Sequence, residues 1–273
     1  TGGGATTARG QNITITGGTM MTAKGGSGGA GIGGGFLGSG EAITITGGTV
    51  NATGTDGAGI GGGDEGNGKD ITIKGGTVTA DGGDYAAGIG GGDEGNGEDI
   101  TITGGTVTAK GGSGGAGIGG GERGNGEDIT ITDGTVNAAG GVSGAGIGGG
   151  WKGSGSNVTV SGAAQVTATA GKGSRYAGAG ATIGGGGSST QDSDGNTVPT
   201  PGTEIQADIK GLTTGYIHHI IYEQDGTTIK REWWEPVRPQ PNPEDPNAPA
   251  EESNEVSLGT PILHVETLEG DPL

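Results

Sequence analysis

The side chains best suited to chemistry are carboxylates that recur in three glycine-rich segments. The segments are GGGDEGNGKD at residues 61–70, GGGDEGNGED at residues 90–99 and GGGERGNGED at residues 119–128. Calcium takes carboxylate and backbone carbonyl oxygens, and flexible glycine-rich turns can supply both. The pattern makes Asp64, Asp70, Asp93, Asp99 and Asp128 candidate ligands for calcium. The spacing matches neither an EF-hand loop nor a calcium-binding nonapeptide repeat, and purely structural Asx turns are the alternative.

A second group of residues could bind a sugar. Thr72, Thr101 and Thr130 recur at equivalent positions, and Tyr85 precedes a glycine-rich segment. Hydroxyl groups donate and accept hydrogen bonds, and a tyrosine ring offers an apolar face for stacking. These four residues form the predicted ligand-binding set. The alternatives are that threonine simply suits a solvated strand face and Tyr85 an exposed loop. Regular threonine arrays also resemble those of ice-binding proteins, although Lys74 interrupts the neighbouring column that contains Thr46 and Thr103.

No arrangement of residues in the sequence indicates catalysis. Lys69, Lys74 and Lys110 are available as bases for a lyase, but nothing places them beside an acidic groove. His218 and His219 are adjacent, so in a strand they point to opposite faces and do not share a metal ion. The chain is therefore predicted not to be an enzyme.

An internal repeat must position all of these residues. A block of the type Ile-Thr-Ile-Thr begins at six places, with spacings of 30, 28, 29, 29 and 29: Ile13, Ile43, Ile71, Ile100, Ile129 and Val158. The isoleucine of AGIGGG recurs in the same way at Ile32, Ile60, Ile89, Ile118, Ile147 and, after an insertion, Ile183. Self-similarity at a fixed period of this length indicates a solenoid.

Each repeat contains three short segments that resemble β-strands. Isoleucines share one face of residues 100–103, valine and alanine share one face of residues 106–109, and residues 116–119 form a third extended piece. A turn over residues 122–128 leads to the next repeat. One coil cannot bury enough aliphatic surface to fold alone, whereas stacked coils can. We therefore expect an all-β fold, a parallel β-helix (β-solenoid) of about six 29-residue coils. A polyglycine II sandwich is the alternative for the glycine runs.

Composition restricts the class of protein. The chain has 273 residues, 74 glycines and a net charge of −18, and the acidic balance excludes nucleic-acid binding. It has no cysteine, hence no disulfide. No apolar stretch reaches the roughly 20 residues of a membrane-spanning helix, so membrane insertion is not expected. A hydrophobic content of 28% would also fit a disordered chain, and only the repeat argues against disorder.

The sequence divides into five parts. Residues 1–187 are predicted as the solenoid, 188–203 as a polar linker, and 204–235 as a small β-hairpin module or cap whose turn is Asp225-Gly226. Residues 236–253 are predicted as a proline-rich acidic spacer and 254–273 as a terminal strand and tail. Because it starts at Thr1, the chain is expected to be a processed piece of a longer protein.

The units ITITGGTVTAKGGSGGAGIGGG and GNGEDITIT resemble glycine-rich repeats of secreted and surface proteins of Gram-positive bacteria. These belong to a carbohydrate-binding β-helix family described as cellulose- and pectin-binding and pectate-lyase-like. The resemblance covers about residues 10–187. It implies a single-stranded, right-handed parallel β-helix, calcium as a cofactor, and no general lyase activity.

The expected function is that of a non-enzymatic adhesin or carbohydrate-binding module, secreted or attached to the cell wall. Its expected partner is a polysaccharide or a cell-surface glycan. The main alternative is a structural stalk that presents other domains, and polysaccharide lyase and ice-binding activities are less favoured. A bare glycine-rich face would also allow self-association.

Overall fold

The computed structural model describes residues 8–18 and 20–236, and this part of the chain folds into 22 β-strands and no helix. The strands are β1 (Gly10–Ile15), β2 (Met21–Lys24), β3 (Ile32–Gly33), β4 (Gly40–Ile45), β5 (Thr49–Thr53), β6 (Ile60–Gly61), β7 (Gly68–Ile73), β8 (Thr77–Asp81), β9 (Ile89–Gly90), β10 (Gly97–Ile102), β11 (Thr106–Lys110), β12 (Ile118–Gly119), β13 (Gly126–Ile131), β14 (Thr135–Ala139), β15 (Ile147–Gly148), β16 (Gly155–Val160), β17 (Gln165–Thr169), β18 (Ile183–Gly184), β19 (Ser188–Gln191), β20 (Thr197–Thr200), β21 (Tyr216–Tyr222) and β22 (Ile229–Glu235). The described part contains no long apolar helix that could span a bilayer. The predicted spacer and terminal strand, from residue 237 onward, lie outside the described residues.

Strands β1 to β18 form six coils of three strands each, coil 1 being β1–β3 and coil 6 being β16–β18. Equivalent strands of successive coils pair in parallel. The first strands of the coils make sheet 1 (β1-β4-β7-β10-β13-β16), the second begin sheet 2 (β2-β5-β8-β11-β14-β17), and the third make sheet 3 (β3-β6-β9-β12-β15-β18). The predicted parallel β-solenoid with three strands per coil is confirmed, and the polyglycine II alternative does not apply to these strands.

The core is a set of aliphatic columns along the solenoid axis. Ile100 pairs in register with Ile71 on one side and Ile129 on the other. Val107 and Ile118 have equally regular neighbours, and all of these side chains are fully buried. Each inward-facing side chain therefore stacks on the equivalent residue of the neighbouring coil, as the 29-residue period predicted. Each step adds hydrogen bonds and buried apolar surface to the previous coil.

Sheet 3 explains the Ile-Gly-Gly-Gly motif. Gly90 has a φ of 135°, and a Cβ atom on it would lie 2.0 Å from the carbonyl oxygen of Gly119 in the next coil. Only glycine fits such a contact, since real Cβ atoms do not approach backbone oxygens this closely. Gly90, Gly91 and Gly92 are all buried. The glycines thus pack against neighbouring coils within the chain, and self-association through a glycine-rich face stays a prediction.

A residue with left-handed backbone interrupts each strand of sheet 1. The φ angle is 52° at Asp70 and Asp99 and 54° at Asp128, and the strand pairing skips this position. Asp and Asn tolerate this conformation better than most residues because their short polar side chains can hydrogen-bond locally. The turn predicted over residues 122–128 is therefore too long: β13 begins at Gly126, and Asp128 lies inside the strand.

The segment predicted as a linker is folded. Within residues 188–203, β19 and β20 form an antiparallel hairpin. Asp192 closes its turn: its backbone N–H donates to the carbonyl oxygen of Asn196, and its carboxylate accepts the backbone N–H of Asn196. Polar composition suggested a linker, but threonine has high β-propensity and the sequence Asp-Gly-Asn favours a tight turn.

The second hairpin caps the solenoid. Strand β21 pairs in parallel with β17 and so extends sheet 2, and β22 pairs with β21 in antiparallel orientation. His219 points inward, where its Nδ1 lies 2.6 Å from Thr182 Oγ1 and its ring stacks on Trp233. Burial, together with the neighbouring His218 and Arg231, lowers the pKa of His219 to about 3. His218 stacks on Trp234 instead, so the two histidines face opposite sides as predicted.

Candidate ligand-binding edge

Two turns meet along one edge of the solenoid. The turn between sheets 2 and 3 lies against the turn that leads from sheet 3 to the next strand of sheet 1. Backbone hydrogen bonds join them, from Asp64 N to Gly28 O, from Glu122 N to Tyr85 O and from Trp151 N to Gly114 O. Successive coils thereby build a continuous edge in which two sets of turn residues alternate.

The aromatic residues of the repeats all lie on this edge. The sequence has four of them between residues 8 and 187, namely Phe36, Tyr85, Trp151 and Tyr176. We call this set the aromatic edge. Three of the rings are strongly exposed, Phe36 at 43%, Tyr85 at 46% and Tyr176 at 58%. Phe36 and Trp151 occupy the same turn position four coils apart, about 19 Å at roughly 4.8 Å per step. The edge is therefore long enough to contact several units of an extended ligand.

In the turn between sheets 2 and 3, two residues with side chains have a left-handed backbone where other coils have glycine. In the turn between sheets 2 and 3, coils 1 and 4 have Gly28 and Gly114, with φ angles of 70° and 83°. The corresponding turns of coils 3 and 5 have Tyr85 at 65° and Ser143 at 64°. A left-handed conformation costs a residue with a side chain roughly 1–2 kcal/mol. Strain of this kind often accompanies functional positions, so both side chains are candidates for a role other than stability.

An insertion breaks the repeat at one end of the aromatic edge. The carbonyl oxygen of Lys172 accepts a hydrogen bond from Ser143 N, as that of Val142 does from Gly114 N. Gly180 stacks on Gly144 as Gly144 stacks on Gly115. Seven residues, 173–179, therefore replace the single residue Ser143 of the coil before. We call residues 173–179 the insertion loop. It carries Tyr176, and insertions in solenoids commonly form part of a binding face.

The insertion loop closes a pocket of about 220 Å³, which we call the aromatic pocket. Its walls are Trp151, Tyr176, Ser143 and Glu122, with Gly114 and Ala177. Ser143 is 1% exposed, yet its Oγ has no hydrogen-bond partner among the described residues, and the same holds for Trp151 Nε1. Lys152 Nζ lies 4.1 Å from the centre of the Trp151 ring. Buried polar groups are normally satisfied, so two unsatisfied ones in the wall of an aromatic pocket indicate a place for a polar ligand.

The acidic residues predicted to bind calcium separate into two columns. The first column lies on the aromatic edge and contains Asp64, Asp93 and Glu122. Burial, then the charges of Glu122 and Asp64, raise the pKa of Asp93 to about 6. Burial also raises the pKa values of Asp64 and Glu122. One carboxylate oxygen of Asp93 is buried without a hydrogen-bond partner in the described part of the chain.

The second column consists of Asp70, Asp99 and Asp128 on sheet 1. Their exposed side chains make local contacts, from Lys69 Nζ to an oxygen of Asp99 at 3.5 Å and from Asn157 to Asp128 at 3.1 Å. Within residues 8–18 and 20–236, no group of three or more His, Cys, Asp or Glu side chains is arranged to hold a metal ion. The left-handed backbone therefore explains these aspartates without calcium, and calcium binding stays a prediction.

The predicted sugar-binding residues are not all together. Thr72, Thr101 and Thr130 form a half-buried column on the outer face of sheet 1, in register as expected. Tyr85 lies on the aromatic edge, in a turn that the threonines do not reach. Tyr85 shares this edge with Trp151 and Tyr176, and the latter two line the aromatic pocket.

Sequence reasoning missed Ser143 and an asparagine ladder. The signal for Ser143 was a side chain at a turn position that has glycine in other coils. In the ladder, Oδ1 of Asn67, Asn96 and Asn125 accepts the backbone N–H of the next coil at 2.9, 2.9 and 3.0 Å. The asparagine of GNG thus joins neighbouring turns, and its recurrence every 29 residues was the available signal.

The fold and the comparisons define the class of protein, a parallel β-solenoid built from tandem repeats. A family model described as a beta helix repeat matches five segments, residues 13–36, 43–64, 71–93, 100–122 and 129–151. The chain is therefore a β-helix repeat protein. No curated protein and no solved structure is significantly similar to it.

Proposed function

We propose that the chain is an extracellular, non-enzymatic module that binds a glycan along the aromatic edge. Sugars present apolar C–H faces that stack on aromatic rings and hydroxyl groups that need hydrogen-bond partners. Tyr85, Trp151 and Tyr176 supply rings along one line. The aromatic pocket adds a donor at Trp151 Nε1 and a donor and acceptor at Ser143 Oγ.

The single observation that carries this proposal is the pair of unsatisfied polar atoms in the aromatic pocket. Leaving a buried polar group unpaired costs about 1–3 kcal/mol, and Ser143 adds the cost of its left-handed backbone. Coil 4 has glycine, Gly114, at the same turn position. Hydroxyl groups of a bound sugar donate and accept hydrogen bonds, so they are suitable partners for such atoms.

A structural stalk is the second candidate function. It is favoured by the strict stacking of the coils, in which Ile43, Ile71, Ile100 and Ile129 follow one another without a change of register. A stalk of this kind needs no aromatic residues on its surface. The two functions therefore differ in what they require of Tyr85, Trp151 and Tyr176.

Binding to an array of plant, bacterial and host glycans tests the proposal directly. The wild-type chain and a Trp151→Ala variant would be compared, with a Thr101→Ala/Thr130→Ala variant as a control for the threonine column. We expect the wild type and the threonine variant to bind the same glycans and Trp151→Ala to lose at least tenfold in affinity. If the wild-type chain binds no glycan, the stalk is the better account.

The same array with and without EDTA tests the calcium prediction. If calcium is a cofactor, EDTA lowers glycan binding, the melting temperature, or both, and added calcium restores them. No change in either quantity would remove calcium from the account and leave the aromatic edge as it stands.

A further inference from the structure

A second concave surface lies beside the aromatic pocket. This groove of about 770 Å³ runs along the turn between sheets 2 and 3 through coils 3 to 6. Its floor is formed by glycines such as Gly111 and Gly140, and Tyr222 and Gly226 of the capping hairpin form its end wall. It shares Ser113 and Val142 with the aromatic pocket. A chain bound in one could therefore continue into the other.

The groove contains two lysines that lack a carboxylate partner. Lys110 ends strand β11 and Lys172 precedes the insertion loop, and both side chains are exposed. Neither makes an ion pair within the described part of the chain, although the sequence has 31 acidic and only 13 basic residues. We call this surface the basic groove. Some other cations on the solenoid are paired, such as Lys69 with Glu98 and Arg123 with Glu94.

The nearest acidic residues form no ion pair with these lysines in the described part of the chain. Lys172 Nζ lies 3.5 Å from the position that a Cβ on Gly226 would occupy, next to Asp225. Asp225, however, uses its oxygens within its own turn, accepting from the backbone N–H groups of Thr227 and Thr228 and from the Thr228 hydroxyl. Asp81 also lines the groove and is the strand neighbour of Lys110, but no ion pair joins the two. On the other side the neighbours of Lys110 are Ala139 and then Thr169, which carry no charge.

We propose that the basic groove binds an oxyanion, a carboxylate or a sulfate ester, on the glycan whose sugar rings occupy the aromatic edge. This inference rests on the proposed function and specifies the ligand class, an anionic rather than a neutral polysaccharide. The lysines lie two coils apart, about 10 Å along the axis, so they contact different substituents of one chain. Strong binding of an anion to a chain of net charge −18 requires such a local site, because the remaining surface repels polyanions.

Four polymers with matched backbones test the inference. Hydroxyethyl cellulose and carboxymethyl cellulose share one backbone and differ in charge, as do dextran and dextran sulfate. Affinities would be measured by affinity electrophoresis at low salt and at about 0.5 M NaCl, where charge interactions are strongly screened. The variants are Lys110→Gln/Lys172→Gln and a control with the same change of charge, Lys24→Gln/Lys74→Gln, whose exposed lysines lie elsewhere on the solenoid.

We expect the groove variant to bind the preferred anionic polymer about three- to tenfold more weakly at low salt, as expected for two partly exposed charge contacts. The control variant should bind like the wild type, and high salt should abolish the difference. Preference for carboxymethyl cellulose or dextran sulfate identifies the oxyanion. Binding of neutral polymers alone, or equal losses in both lysine variants, would overturn the inference but leave the proposed function standing. Failure of the wild type to bind any glycan would overturn both.

Discussion

Coils 2 to 5 and coil 6 are built from the same repeat but have different roles in the molecule. In coils 2 to 5 nearly every position is occupied by the residue type that stacking requires, as the columns through Ile100, Val107 and Gly90 show. Coil 6 departs from this pattern: it contains the insertion loop, and the capping hairpin covers it through β21. Regularity in this chain supports the fold, and departures from it concentrate around the candidate site.

The comparison extends to single residues within the regular coils. Tyr85 and Ser143 replace glycine at strained positions, and both face the aromatic edge. Asp70, Asp99 and Asp128 also have left-handed backbones, but there the residue type suits the conformation. A departure is informative, therefore, only where the observed residue is worse for the fold than the one it replaces.

The largest effect should come from breaking the regular stack. In Gly90→Ala, the new Cβ would lie 2.0 Å from a backbone oxygen at a φ of 135°, so we expect a loss of more than about 4 kcal/mol in unfolding free energy. Gly26→Ala is the control, because a Cβ there meets nothing within 4 Å. Urea denaturation followed by circular dichroism measures both. Similar stabilities for the two variants would refute the tight packing of sheet 3.

A smaller loss is expected from the asparagine ladder. Asn96→Ala removes the acceptor for Asn125 N, now 2.9 Å from Asn96 Oδ1, and leaves that N–H without its partner, which costs about 1–3 kcal/mol. Asn51→Ala, on the outer face of sheet 2, should change stability by less than about 0.5 kcal/mol. Equal effects in the same denaturation assay would show that the ladder does not stabilise the stack.

Replacing a strained residue should separate stability from binding. We expect Tyr85→Gly to keep or raise the unfolding free energy by up to about 1 kcal/mol, because glycine removes the strain of a positive φ. The reverse change, Gly114→Ala, should lower it by about 1–2 kcal/mol. Glycan affinity should fall in Tyr85→Gly only. A Tyr85→Gly variant that is clearly less stable would mean that the ring supports the fold.

The smallest effect concerns pH. Burial and the charges of Glu122 and Asp64 hold the pKa of Asp93 at about 6, so the folded chain binds this proton more tightly than the unfolded chain. The resulting stability is present below about pH 4 and is lost as pH rises through 6. Asp93→Asn should therefore raise the unfolding free energy more at pH 7 than at pH 4. The increase at pH 7 should be about 1 kcal/mol or less, because the side chain is partly exposed. Identical profiles of melting temperature against pH for the wild type and Asp93→Asn would contradict this prediction.

Much of the fold was predictable because the same pattern of about 29 residues occurs six times in the sequence. The spacing of Ile71, Ile100 and Ile129 fixed the register, and alternation in ITIT and TVTA fixed the inward faces. The hairpin at residues 188–200 was missed because polar, single-copy sequence gives no such redundancy. The strand position of Asp128 was missed because a left-handed residue inside a strand looks like a turn in the sequence.

The candidate site was predictable only in part. Tyr85 was identified as a ligand-binding residue, but its association with Trp151 and Tyr176 depends on how two turns meet in successive coils. The unsatisfied Oγ of Ser143 depends on a loop whose path has no precedent in the other repeats. Such information lies in the three-dimensional arrangement and not in spacing along the chain.

The most direct test of the account replaces the insertion loop, residues 173–179, with a single serine, the residue that coil 5 has at this point. The account predicts a chain with an unchanged circular dichroism spectrum and a melting temperature within a few degrees of the wild type, but with glycan affinity lowered at least tenfold. A folded variant that binds glycans as tightly as the wild type would contradict the claim that the interrupted coil forms the binding site.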